Sequence, residues 1–163
     1  MSRFAALFAI AGALGLAIVG GALAVPPEHH TDSDDYSGVA SCGSFNDVYQ
    51  GHLDANIVSK FDKAGNPVQD IVHITGWETN YRSDKPSVSI TAHRSFTVIY
   101  TYATDSERDV GNIITQTAPG HGVLFHDVGS ITFAGETVTV HGPHDVFAQG
   151  DAAFCNALIA VTP

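Results

Sequence analysis

Apolar and polar residues alternate with a period of two along most of this chain, and this alternation limits what the chain can fold into. The longest example is the segment 87–102, where Val88 and Ile90 begin an apolar face and serine, threonine and histidine residues form the other. A period of two places successive side chains on opposite faces of a β-strand. A straight strand of this length would span about 50 Å, which is too long for a small sheet. We therefore expect a bend, bulge or break near His93 and Arg94.

Five further segments alternate in the same way, and short turns rich in glycine, proline and asparagine separate them. No segment between them is long enough for a parallel crossover helix, so the strands are expected to pair antiparallel. We predict an all-β fold, an antiparallel up-and-down β-barrel of about 7–8 strands, with a β-sandwich as the alternative. Residues 151–158 are expected to form a short C-terminal helix. The five segments are residues 53–61, 68–81, 110–117, 123–133 and 136–141.

The first 24 residues differ from the rest of the chain in composition. Arg3 precedes an uncharged apolar run, and this run ends in an A-x-A cleavage motif at residues 22–24. The alternative is a transmembrane anchor, which needs about 20 apolar residues and is less consistent with the small residues that end the run. We predict that residues 1–24 are a secretory signal peptide and that the protein is secreted and extracellular.

The segment that follows the leader is polar and acidic. Residues 25–44 contain adjacent prolines, the pair His29 and His30 and several aspartates, with almost nothing to bury. We predict a flexible acidic N-terminal arm, with loose binding of a divalent cation by the histidine pair as the less favoured alternative. Residues 45–163 are predicted to form a single β-barrel domain.

The chain has two cysteines, Cys42 and Cys155, one near each end of the mature domain. In an oxidising compartment an even pair most simply forms one disulfide. Closing a loop of about 110 residues stabilises the folded state by about 4–5 kcal/mol in the chain-entropy treatment. The bridge would tie the start of the fold to its end.

Three stretches resemble a group of small secreted β-rich proteins of actinobacteria: residues 84–88, residues 129–133 and the segment 154–158 around the late cysteine. The resemblance covers most of the chain from Cys42 to Leu158 and lies in the patterning of turns and strands. It implies a barrel-like fold and an extracellular location. It implies no catalytic residue in this sequence.

The charge of the chain excludes two classes of partner. Seventeen acidic residues oppose seven basic ones, which gives a formal net charge of -10. Nucleic-acid binding needs clustered lysine and arginine, and so does docking on anionic lipid. We therefore expect neither nucleic acid nor, after cleavage of the leader, a membrane as a partner.

Histidine is the one enriched reactive residue type, with nine copies. A divalent metal needs three or four converging ligands, and His126, His141 and His144 are the candidates if their strands pair. The favoured interpretation is that these are scattered turn histidines, because the HExxH pattern is absent and no other cofactor is indicated. No catalytic residue is predicted either, since the sequence has no G-x-S-x-G motif and both cysteines are expected to be paired.

Aromatic residues on two predicted strands are candidates for the lining of a barrel lumen. A barrel of about eight strands is either filled by side chains or holds one small ligand, as in lipocalin-like proteins. Our first hypothesis is a secreted non-enzymatic protein that binds a small apolar ligand or a cell-envelope component. The alternatives are a small barrel enzyme, isomerase- or cyclase-like, and an extracellular interaction or inhibitor protein. The candidate lining residues are Trp77, Tyr81, Phe96, Tyr100 and Tyr102.

Overall fold

A computed structural model describes residues 25–162, so the predicted signal peptide, residues 1–24, lies outside the described residues. Within that range seven strands form one antiparallel sheet in chain order, and two short helices follow. The strands are Glu28–Ser41 (β1), Asn46–Phe61 (β2), Pro67–Arg82 (β3), Lys85–Thr101 (β4), Ser106–Ala118 (β5), Gly122–Ala134 (β6) and Thr137–His141 (β7). The helices are Asp145–Gln149 (α1) and Ala152–Ala160 (α2), and a 3-10 turn covers Tyr102–Thr104.

The all-β prediction, the antiparallel pairing and the C-terminal helix are confirmed, but the sheet is not closed into a barrel. Among the described strands, β1 pairs only with β2, and β7 pairs only with β6. The two edge strands differ in length, since β1 has 14 residues and β7 has five. A strand as short as β7 offers only a short ladder to a partner, so the edges stay apart.

The predicted flexible arm is a strand in the structure. Residues of β1 pair with β2 along their whole length, from Glu28 opposite Ser59 to Ser41 opposite Asn46. The sequence of this segment predicts no regular structure, because it has little to bury. Backbone hydrogen bonds to a neighbouring strand do not require apolar side chains, and they account for the difference.

The irregularity predicted near His93 and Arg94 is confirmed as a β-bulge. Strand β4 is continuous, but its pairing with β5 shifts between His93 and Ser95. Two residues of β5, Ile113 and Ile114, lie opposite the single residue Arg94 at this point. A bulge turns both isoleucines toward the core, and both are buried.

Most buried side chains lie on one face of the sheet, which we call the inner face. Helix α2 covers one end of this face, where the helix-end cluster includes Ile90, Ile114, Phe125, Phe154 and Leu158. The other end carries the strand-end cluster, in which Ile74, Phe96, Ile113 and Ile131 are buried. No helix within residues 25–162 is long and apolar enough to cross a membrane.

The predicted disulfide between Cys42 and Cys155 is confirmed, with the two Cα atoms 5.5 Å apart. Cys42 directly follows β1, and Cys155 lies in α2. The bridge therefore ties the first strand to the helix that covers the helix-end cluster.

Removing the disulfide should lower stability strongly. The bridge joins residues 113 positions apart, so the variant Cys42→Ser/Cys155→Ser should lose about 4 kcal/mol of unfolding free energy in urea denaturation followed by circular dichroism. A reductant should lower the urea midpoint of the unchanged protein and leave that of the double variant where it is. Equal midpoints for the oxidised protein and the double variant would contradict the stabilising role of the bridge.

Candidate functional site

A buried ion pair crosses the inner face between the two apolar clusters. The carboxylate of Glu78 accepts hydrogen bonds from the Tyr36 hydroxyl at 2.9 Å, from Nη2 of Arg94 at 3.3 Å and from Nδ2 of Asn80 at 3.0 Å. The side chain of Glu78 is 2% exposed and that of Arg94 is 15% exposed. Charges so far from water are tolerated when they are paired and hydrogen-bonded, as the carboxylate of Glu78 is here. Within residues 25–162 the buried Nε of Arg94 has no hydrogen-bond partner, so Arg94 depends on its contact with Glu78.

Gly51 allows Tyr36 to reach this pair. Tyr36, Gly51 and Glu78 occupy one row across β1, β2 and β3. A Cβ atom at Gly51 would collide with the Tyr36 ring, so only glycine lets the ring cross β2. Burial raises the pKa of Tyr36 to about 12, with a further contribution from the adjacent carboxylate of Glu78. The phenol therefore stays protonated near neutral pH, and its hydrogen bond to Glu78 ties β1 to β3 across β2.

Breaking the pair should destabilise the protein more than removing it. The substitution Arg94→Met leaves the charge of Glu78 buried without its cation, and we expect a loss of about 3–5 kcal/mol in urea denaturation. The double variant Glu78→Gln/Arg94→Met should recover much of this loss. The matched control is Arg108→Met, which removes an exposed arginine from β5. If the two arginine variants were equally stable, the pair would have no structural role.

An apolar surface lies where the inner face reaches the edge of the sheet. Phe133 of β6, Val138 and Val140 of β7 and Phe147 of α1 form this surface, which we call the β7 rim. Val138 is 45% exposed, Val140 is 38% exposed and Phe147 is 41% exposed. The rings of Phe133 and Phe147 lie 6.4 Å apart, and Phe133 also packs on the strand-end cluster. The rim is exposed because β7 has no strand beyond it within the described residues.

Two carboxyl groups lie on the same face beside the rim. Asp109, Ile131 and Val140 form one row across β5, β6 and β7, and Glu107 lies opposite Phe133 in a neighbouring row. Burial raises the pKa of Asp109 to about 7, and the nearby charge of Glu107 adds to this shift. Burial also raises the pKa of Glu107. Within residues 25–162, the buried Oδ1 of Asp109 has no hydrogen-bond partner.

The raised pKa of Asp109 predicts a pH-dependent loss of unfolding free energy. The pKa of Asp109 is about 7 in the folded protein, whereas its usual value is 3.8. The unfolded chain therefore loses this proton at a lower pH than the folded protein does, and the free energy of unfolding falls as pH rises from 4 to above 7. We expect the unfolding free energy of Asp109→Asn, relative to that of the unchanged protein, to rise by about 1–2 kcal/mol from pH 5 to pH 8. One pKa unit corresponds to about 1.4 kcal/mol, and the partial solvation of the carboxyl reduces the effect.

The measurement is urea denaturation at both pH values. The exposed variant Asp34→Asn removes the same charge from an open position and serves as the control. A constant difference between Asp109→Asn and the unchanged protein across this pH range would contradict the shift.

The aromatic residues predicted to line one lumen lie on opposite faces. Trp77 and Tyr81 pair with His93 and Ser89 on the outer face, so they point away from Phe96, which is buried in the strand-end cluster. Tyr100, near the end of β4, and Tyr102, in the 3-10 turn that follows, each donate a hydrogen bond from the hydroxyl group to an aspartate carboxylate. The predicted lining is therefore divided among three places.

The three predicted metal candidates are placed as follows. His126 lies on β6 opposite Thr115, and His141 ends β7. His144 is buried before α1, with its Nε2 3.1 Å from the carbonyl oxygen of His141. Across residues 25–162, no three histidine, cysteine, aspartate or glutamate side chains are grouped so that they could hold a metal ion.

The buried carboxyl groups were not predicted from the sequence, although the sequence contains a signal for them. Glu78 continues the apolar series of Val72 and Ile74 at a spacing of two. Asp109 likewise shares a face with Gly111 and precedes two buried isoleucines. A charged residue in phase with an apolar series marks a position that is buried, and such positions need a partner or carry a shifted pKa.

No protein-family model matches the chain, and no significant match was found among the curated proteins or the solved structures. The candidate site is therefore defined by its own geometry and chemistry.

Proposed function

We propose that this is a secreted non-enzymatic binding protein that holds a small apolar ligand on the β7 rim, with a cationic amine of the ligand placed at Asp109 and Glu107. One observation carries the proposal: a half-buried carboxyl with an unpartnered oxygen lies beside exposed apolar side chains. The disulfide is compatible with the extracellular location that the proposal includes.

The size of the rim favours a small molecule over a protein partner. The half-exposed side chains of Val138, Val140, Phe147 and Phe133 present at most about 300 Å². A stable protein–protein interface buries about 800 Å² on each partner. An apolar ring or a short hydrocarbon is large enough to cover the rim, whereas a folded protein would need a much larger surface.

The charge around the rim favours a cation as the polar group of the ligand. A carboxylate that has lost part of its hydration gains more from a nearby ammonium group than an exposed carboxylate does. Glu107 lies on the same face and adds negative charge. The net charge of -10 raises the local concentration of cations and repels anions.

Three probes with the same ring separate the apolar part of the proposal from the ionic part. We expect 1-naphthylmethylamine to bind more tightly than 1-naphthalenemethanol, and 1-naphthoate to bind most weakly, in isothermal titration at pH 8. Affinity for the amine should fall several-fold at pH 5.5, where Asp109 is protonated. Affinity for the alcohol should change little over this range.

Matched variants locate the site. Val138→Gln places an amide on the rim. It should weaken the binding of all three probes at least about fivefold, since burying an unpaired polar group is unfavourable. Val123→Gln changes an exposed valine at the start of β6, far along the strand from the rim, and should change nothing. Equal effects of the two variants, or equal binding of amine and carboxylate probes, would refute the proposal.

A further inference from the structure

The outer face of the sheet carries a row of side chains centred on Trp77. In this row Trp77 lies directly between His52 of β2 and His93 of β4. The indole is 40% exposed in the middle of the sheet, although it is the largest apolar side chain in the chain. The complete row across six strands is Asp35, His52, Trp77, His93, Thr115 and His126.

From β1 to β5, the rows on either side of Trp77 are polar and contain no basic residue. Every side chain in this part of the rows carries a hydroxyl, an amide or a carboxylate, whereas on β6 the rows end at the exposed valines Val128 and Val123. One row consists of Ser33, Asp54, Thr75, Ser95 and Asn112. The other consists of Ser37, Gln50, Thr79, Thr91 and Thr117. The surface therefore presents one aromatic ring surrounded by hydrogen-bonding groups.

His52 is held in place beside the indole. Its Nδ1 lies 2.7 Å from Oδ1 of Asp35, and its Nε2 lies 3.3 Å from Oδ1 of Asp54. These contacts occupy both ring nitrogens of His52 and hold the carboxylates of Asp35 and Asp54 in place near the indole before any ligand arrives. Such positioned carboxylates lose little conformational entropy on binding.

We propose that this surface, the Trp77 face, binds a neutral polysaccharide of β-linked pyranose units. The indole offers a flat apolar surface to the C–H groups on one face of a sugar ring, and the surrounding hydroxyl, amide and imidazole groups match the sugar hydroxyls. Neighbouring strands are about 4.8 Å apart, so the six-strand row extends for about 24 Å. One strand spacing is close to the length of one pyranose unit, so successive sugars meet successive side chains of the row.

The charge of the surface favours a neutral polysaccharide over anionic flat or extended ligands. Asp35 and Asp54 flank the surface, and the whole chain carries a net charge of -10. Nucleic acids and anionic polysaccharides are repelled by this charge. The Trp77 face is also on the opposite side of the sheet from the β7 rim, so the two proposals are independent.

The chain contains a single tryptophan, so its fluorescence reports on this surface alone. We expect cellohexaose to shift or quench the emission in a saturable manner, and hydroxyethylcellulose in a native gel to retard the protein. Trp77→Ala should reduce the retardation at least about tenfold, as expected for a central aromatic contact, and Trp77→Tyr should retain part of it. Sodium chloride at 0.5 M should have little effect, because the ligand is neutral.

The control is Tyr102→Ala, which removes an aromatic residue of nearly equal exposure from the 3-10 turn after β4 and should be retarded like the unchanged protein. Trp77→Ala should keep the circular dichroism spectrum of the unchanged protein and unfold cooperatively in urea, which shows that it is folded. The proposal is overturned if the unchanged protein is not retarded, if Trp77→Ala is retarded equally, or if salt abolishes the effect. It is also overturned if the emission shifts with protein concentration alone, since a second copy of the chain would then cover the Trp77 face.

Discussion

The packing of α2 on one end of the inner face determines which parts of the sheet are covered and which are exposed. Phe154 of α2 lies against Phe125 of β6, with ring centroids 5.1 Å apart, and Leu158 is fully buried beside them. The disulfide from Cys155 to Cys42 holds the helix against the start of the sheet. Because α2 has only nine residues, it covers the helix-end cluster and leaves the edge at β7 open.

The connection between the sheet and α2 positions one side of the β7 rim. The carboxylate of Asp127 accepts hydrogen bonds from the backbone N–H groups of Val146 at 2.8 Å and of Phe147 at 3.0 Å. These bonds satisfy the free N–H groups at the start of α1. They hold α1 against β6, which places the ring of Phe147 beside Phe133. A buried carboxylate thus fixes an exposed aromatic residue at the candidate site.

The sequence predicted the elements of this fold better than the relation between them. Period-two alternation identified the strands, and the length of residues 87–102 predicted the bulge beside Arg94. Alternation within a strand does not show which face of one strand matches which face of the next, because the register depends on the turn. The pairing shifts between Tyr81 and Arg82, beside the β3–β4 turn, and in the register that follows Trp77 and Phe96 lie on opposite faces. For this reason the aromatic residues that were predicted to line one lumen lie on different faces. Both candidate surfaces became evident only from the strand pairing.

The same acidic composition has a different effect on each part of the surface. Strand β1 is a long open edge, and such an edge promotes pairing between copies of a chain. Asp32, Asp34 and Asp35 lie along this edge, so a second β1 would bring like charges together. At the rim, negative charge next to apolar side chains favours a cationic ligand, and on the Trp77 face it excludes polyanions. The acidic residues of an open sheet can therefore oppose pairing at its edge while its two faces carry the two proposed ligand surfaces.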